Sequence, residues 1–197
     1  MDIGERQMAQ SLAQAYEQAT GDIRLHLGCG PNVFDGYINV EGDYILNHKG
    51  GPKEGVVIHN ITEAYPLPDD SVDEILSVHV IEHIMPNDIP AMFAEWRRIL
   101  KPTGFVAVEW PDLLKMCHYI VQHPDSLWSD DKKVLKQSVA GIFGNIARYK
   151  DPAMLHKWGY SEESMIKLFE KHGFSRAEGQ VPAHRKSRAD SRVAAWK

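Results

Sequence analysis

Ile23-Arg24-Leu25-His26-Leu27-Gly28-Cys29-Gly30-Pro31 is the stretch on which the fold turns. Its first five residues alternate apolar and polar, the period of a half-buried strand. The strand runs into two glycines, which let the backbone bend sharply and let a ligand come close. Working outward, Tyr37–Glu41 reads as a second strand, stopped by Gly42-Asp43, and Val56–Asn60 as a third. A turn of Pro66, Pro68 and Asp69-Asp70-Ser71 precedes a fourth strand over Val72–Val80. Phe105–Trp110 is a fifth, and Phe174–Gln180 and Ser191–Lys197 are a late pair. Helical spacing appears over residues 5–19, through Met8, Leu12, Ala15 and Tyr16. It returns over 88–100, with Asp88 as N-cap and Lys101-Pro102-Thr103-Gly104 as the stop. Residues 112–122 and 131–147 also read as helices, Gly141 and Gly144 weakening the second. Ser161 caps a last helix through Lys171, ended by Gly173. Strands alternating with helices predict an α/β, Rossmann-like, mainly parallel sheet with helices on both faces.

The 197 residues are enough for one domain with its own core. We expect a single domain over 1–197, with an N-terminal helix in 1–21 and a helical substrate-side insertion over 112–160. Two cysteines, Cys29 and Cys117, exclude a disulfide framework. No apolar run approaches the roughly 18 residues of a membrane span, and the first residues do not read as a signal peptide. A cytoplasmic protein with no membrane partner is the expectation. The net charge is −5, but residues 176–197 carry +4. His184-Arg185-Lys186-Ser187-Arg188 could touch phosphates; read plainly, it is a solvated loop, and an acidic body disfavours nucleic acid. The oligomeric state, a homo-oligomer included, stays open.

The glycine turn narrows the ligand. The position of a third dinucleotide glycine is Val33, so the G-x-G-x-x-G pattern fails, and no P-loop is present. Glu41 ends the second strand, where a carboxylate accepts hydrogen bonds from ribose hydroxyls. Asn60 ends the third strand as an adenine contact or a simple turn residue.

Leu25–Pro31 resembles the first motif of class I S-adenosylmethionine-dependent methyltransferases. Leu67–Ile75 leading into His79-Val80-Ile81-Glu82-His83 looks like the fourth-strand region of that family. Glu95–Gly104 is similar to its helix-and-turn signature, and Trp158–Glu163 followed by His172-Gly173-Phe174 matches small-molecule members. The resemblance covers roughly residues 23–197, and the sequence is similar to members of a subgroup associated with sugar and polysaccharide biosynthesis. It implies seven strands, the last antiparallel, with S-adenosyl-L-methionine lying across their carboxyl ends. On that likeness Leu27, Gly28, Cys29 and Gly30 form the cofactor turn, with Gly28 and Gly30 under the methionine portion. Glu41 holds the ribose, Asn60 and Ile61 flank the adenine, and His79 sits beside the cofactor. Two features depart from the family. The connection from Gly30 to Tyr37 is too short for the usual first helix, which shrinks to a turn over Asn32–Gly36. Asn60 stands where an Asp is common.

His79-x-x-Glu82-His83 also spells the inverted zinc-protease pattern. That chemistry needs both histidines on one helix face, and here the first closes a strand. A milder version is a cation near the methyl acceptor, as some methyltransferases hold with a Glu-His pair, completed by His118, His123 or His156. A purely structural pair is the plainer reading, and we expect no metal. Methyl transfer needs chiefly positioning, plus a base if the acceptor is a hydroxyl or a protonated amine. His79, His83 and His156 are the candidate catalytic residues. Asp112 is a further candidate, better explained as a helix cap, and His118 and His123 read as surface residues. Trp110, Tyr119, Trp128, Phe143, Tyr149, Trp158 and Tyr160 could wall a small organic acceptor, although most, Phe143 among them, read as core. His156–Tyr160 is a candidate lid. The expected function is methyl transfer to a small molecule such as a sugar or nucleotide sugar. A silent cofactor-binding module, an NAD-dependent oxidoreductase and a nucleic-acid methyltransferase are its rivals.

Overall fold

Residues 10–42, 53–144, 154–184 and 188–197 are described by the computed structural model. The strands are β1 (Arg24–Leu27), β2 (Ile38–Glu41), β3 (Val56–Ile58), β4 (Val72–Val78), β5 (Leu100–Pro111), β6 (Arg176–Gln180) and β7 (Asp190–Trp196). They form one seven-stranded sheet in the order β3-β2-β1-β4-β5-β7-β6. β7 runs antiparallel to β5 and β6, and the other neighbours are parallel. The helices are α1 (Leu12–Gln18), α2 (Ile89–Ile99), α3 (Leu113–Gln122), α4 (Lys132–Lys136), α5 (Val139–Phe143) and α6 (Glu162–Lys171). The apolar stripe of α2 delivers Ile89, Met92, Phe93, Trp96 and Ile99 into the core. There Phe93 stacks on Phe169 of α6, ring centroids 4.5 Å apart.

The direct passage from β1 to β2 has a geometric reason. β1 is four residues long, so the chain must return only about 13 Å before starting β2. Residues 28–37 turn at both ends and are still long enough to cover that distance, and no helix is needed. Buried Asn39 replaces the helix as an organiser. Its amide nitrogen donates to the Phe34 and Tyr37 carbonyls at 2.9 and 3.0 Å, and its oxygen accepts from the Phe34 N–H at 2.9 Å. The Phe34 ring thereby lies flat on buried His26, centroids 4.3 Å apart, with His184 stacked on its other side at 5.0 Å.

Burial holds the His26 imidazole below its ordinary value of 6.5, against the opposing hydrogen bond from Asn39. A depressed folded pKa means that the unfolded chain binds the proton first. His26 therefore supports the fold above its unfolded pKa, and that support is lost as pH falls from about 7 to about 5.5. Urea midpoints at those two pH values should fall less in His26→Gln than in the parent. Parallel pH dependences in the two proteins would refute this.

Several local expectations are corrected. Asp88 occupies the N-cap position of α2 but makes no capping hydrogen bond with its side chain. Lys101–Gly104 does not precede the fifth strand but bulges out of it, since pairing jumps from Val72↔Leu100 to Glu74↔Phe105. The helix expected over 131–147 is two short ones, α4 and α5, and residues 145–147 lie outside the described set. They part at Ser138, whose hydroxyl donates to the Ser126 and Val134 carbonyls and whose backbone is not helical. Phe143 is exposed rather than core. The opening helix is described as Leu12–Gln18 with a Ser11–Gln14 capping box, while residues 1–9, Met8 included, lie outside the described set. So do Tyr149 and the middle of the basic cluster, 185–187.

Candidate active site

The carboxyl ends of β1, β2 and β4 meet at the glycine turn. Gly28 and Gly30 take φ of +66° and +52°, a region closed to most side chains. They serve different ends. A Cβ on Gly28 would lie 2.3 Å from a Val80 methyl, so this glycine lets the β4 loop close down. Among the described residues a Cβ on Gly30 would meet only Glu41 Oε2, at 3.9 Å, which leaves its outer face open to a ligand on their side. Glu41, almost fully buried, accepts from the Gly30 N–H at 2.6 Å and from the Gly42 N–H at 2.8 Å. An ionised carboxylate has about four acceptor positions, so two remain for hydroxyls. Burial and the Glu41 charge push the Cys29 thiol up to about 12, which makes it a neutral packing group. Leu27 and Ile61 are buried apolar residues at the same end of the sheet. Asn60 is exposed, and its amide bonds to Glu63, while its oxygen accepts from Thr62. Of its two sequence readings, the turn residue describes what this side chain does.

After β4 the chain makes a left-handed step at His79, φ +56°, and then a 3-10 turn over Ile81–His83. This turn breaks the helix that a zinc-protease motif needs. The step brings His79 Nε2 to 3.3 Å from Asp190 Oδ2 at the start of β7, and His79 Nδ1 to 3.5 Å from Glu82 Oε1. Glu82 is buried, and its backbone carbonyl accepts from the Lys157 and Trp158 N–H groups at 2.7 and 3.2 Å. Those bonds stitch the returning end of the insertion onto the turn and deliver His156. His156 Nε2 then lies 3.9 Å, and His83 Nε2 4.0 Å, from Glu82 Oε1. Burial lowers the His156 pKa despite the Glu82 charge. The three candidate histidines therefore surround one buried carboxylate.

The other candidates fall elsewhere. His118 and His123 are exposed, as expected of surface residues. Asp112 caps α3 through Lys115 N and also accepts from Glu162 N and the Ser191 hydroxyl, at 3.0, 2.9 and 2.8 Å. With both oxygens engaged, it is a joint between elements and not a base. Trp110 and Tyr160 are buried, whereas Trp128 and Trp158 are exposed on the insertion together with Phe143. Asp190 escaped the sequence reading, because nothing local marks an acid at the start of a late strand as the neighbour of a histidine 111 positions away.

A sheet ordered 3-2-1-4-5-7-6 with an antiparallel seventh strand, and a glycine turn facing an acid at the end of β2, define the class I methyltransferase fold. Residues 25–108 match the methyltransferase domain family. An uncharacterised methyltransferase of Mycobacterium tuberculosis H37Rv is 34% identical over 111 residues, which are 50% of this chain and 43% of that protein. A Mycobacterium bovis relative is 35% identical over the same share. The chain thus spans less than half the length of these relatives. Among solved structures, a SAM-dependent methyltransferase from Archaeoglobus fulgidus superposes with a TM-score of 0.56 at 18% identity, covering 94% of this chain and 91% of that one. Human N-acetylserotonin methyltransferase, solved in complex with SAM, gives 0.52 at 11% identity, covering 89% of this chain and 47% of that one. At such identities the likeness is one of fold. No helix among the described residues is long and apolar enough to cross a membrane.

Proposed function

We propose that this chain transfers a methyl group from S-adenosyl-L-methionine to a small-molecule acceptor. The observation that carries the reading is Glu41, a buried carboxylate clamped by the Gly30 and Gly42 amides with acceptor positions to spare. The open face of Gly30 and the apolar Leu27 and Ile61 suit the same cofactor. When bound, S-adenosylmethionine supplies a methyl group on a sulfonium, already an activated electrophile. Glu41 would then orient the ribose, and the Gly28–Gly30 backbone would fix the methionine portion. His79, just after β4, would take a proton from an acceptor hydroxyl, with Asp190 and Glu82 beside it to stabilise the imidazolium that results. His83 and His156 stand behind it as the other candidate bases. Exposed Trp158, Trp128 and Phe143 offer aromatic faces to an acceptor, and a sugar or nucleotide sugar is the class to try first.

Calorimetry with S-adenosylmethionine, S-adenosylhomocysteine and NAD tests the cofactor. Micromolar binding of both S-adenosyl compounds and none of NAD is the expected result, with a matching rise in melting temperature. Absence of S-adenosyl binding would overturn the reading. Binding without turnover on any sugar acceptor would favour a silent binding module.

A further inference from the structure

We propose that Glu82, His83 and His156 form a binding site for a divalent first-row transition cation, in place of the metal-free site expected from the sequence. The three side chains place one ligand atom each within 4.8 Å of one another. The hydrogen bonds around them carry the inference. His83 Nδ1 lies 3.0 Å from the Leu155 carbonyl, and His156 Nδ1 lies 2.8 Å from the Gly141 carbonyl. A carbonyl can only accept, so each Nδ1 carries the proton. In the neutral ring, each Nε2 then presents a lone pair. Both lone pairs are turned toward Glu82.

Glu82 cannot answer them. Its side chain is 2% exposed, and among the described residues neither carboxylate oxygen has a hydrogen-bond partner. Two imidazole lone pairs turned on a buried carboxylate repel it unless something positive joins the three groups. A buried unpaired charge of this kind is costly. A cation relieves all three groups at once. The backbone carbonyls on the far ring nitrogens are the outer partners that metal-bound histidines commonly have, fixing both tautomer and ring direction.

Distance and donor type indicate the class of ion. Ligands about 2.0–2.1 Å from a tetrahedral ion sit about 3.3 Å apart. The Glu82–His156 and Glu82–His83 separations of 3.9 and 4.0 Å need to contract by less than an ångström. Two imidazoles and one carboxylate suit zinc, cobalt, iron or nickel, whereas magnesium and calcium prefer all-oxygen cages. Three protein ligands leave further coordination positions. The neighbouring His79 and His83 side chains are about a fifth exposed, so a small oxygen ligand could reach the cluster. With both Nε2 atoms on the metal, His79 would be the one candidate base left free. The site does not depend on the methyl-transfer reading.

The test uses the full chain with any affinity tag removed, stripped with chelator and titrated with Zn²⁺, Co²⁺ or Mg²⁺. One equivalent of Zn²⁺ or Co²⁺ should bind, Co²⁺ giving the visible bands of a four- or five-coordinate centre, and Mg²⁺ should not compete. His83→Ala, His156→Ala and Glu82→Gln should each weaken Zn²⁺ binding by more than the roughly 10–100-fold that loss of an outer partner costs. His118→Ala and His123→Ala should bind as the parent does. S-adenosylhomocysteine titrations and circular dichroism on the same variants report whether they fold, separately from the metal. Stoichiometry well below one, parent-like affinity in folded His83 and His156 variants, or a preference for Mg²⁺ would each overturn the proposal.

Discussion

Replacing Glu41 with Ala should reduce affinity for S-adenosylhomocysteine by two to four decades. Two hydroxyls of a ribose donating to an ionised carboxylate contribute about 1.5–3 kcal/mol each, and every 1.4 kcal/mol is roughly a factor of ten. Glu41→Gln keeps one acceptor oxygen and should lose about half of that free energy. The carboxylate also holds the Gly30 and Gly42 amides, so part of the Ala effect would be a loosened turn. A melting curve separates the two contributions. A Gln variant that melts like the parent yet binds at least tenfold more weakly would isolate the contacts to the ligand. Unchanged calorimetric affinity in both variants would remove Glu41 from the cofactor site and the carrying observation with it.

The second large effect is on stability. Asp112→Ala removes one buried carboxylate from three donors on three separate elements: Lys115 N in α3, Glu162 N at the start of α6, and the Ser191 hydroxyl in β7. Loss of a helix cap costs about 1 kcal/mol, and hydrogen bonds to a buried charge cost more. A total of about 3–5 kcal/mol corresponds to a fall of roughly 10 °C in Tm for a chain of this length. Asp112→Asn retains acceptors for part of the set and should fall about half as far. Scanning calorimetry that finds the Ala variant within about 2 °C of the parent would rule out the joint.

The strands were legible because alternation in Ile23–Leu27 and the acid closing Tyr37–Glu41 are local signals of pleat and strand end, whereas their order in the sheet was not. The same locality explains Gly28 and Gly30, although not their division of labour, which depends on where Val80 comes to rest. The cluster around Glu82 was half legible. His79, Glu82 and His83 stand in one motif, but His156 arrives only because backbone bonds tie Lys157 and Trp158 to the Glu82 carbonyl. Neither spacing nor periodicity encodes such a return. The broken helix at Ser138 and the exposure of Phe143 share this cause. Helical spacing reports a preference of the backbone, and the hydroxyl of one serine bonded across to Ser126 outweighs it. Asp112 was readable as a cap, yet the second helix that it anchors was not.

The ends of the insertion lie side by side. Asp112 and Tyr160 form a parallel bridge, the Leu113 N–H donates to the Tyr160 carbonyl at 2.9 Å, and the Trp110 indole donates to the same oxygen at 3.0 Å. A segment that leaves and re-enters a sheet at one point behaves as a cassette. Its length can change with only a slow growth in closure entropy, each doubling costing about 0.6 kcal/mol. If this segment carries the acceptor contacts proposed above, exchanging it between related chains would change the acceptor and leave the Glu41 turn as it is. Two constraints on such a graft are written at its mouth: it must begin with a carboxylate that accepts from the Glu162 N–H and the Ser191 hydroxyl, as Asp112 does, and it must return through a backbone carbonyl that accepts from the Trp110 indole.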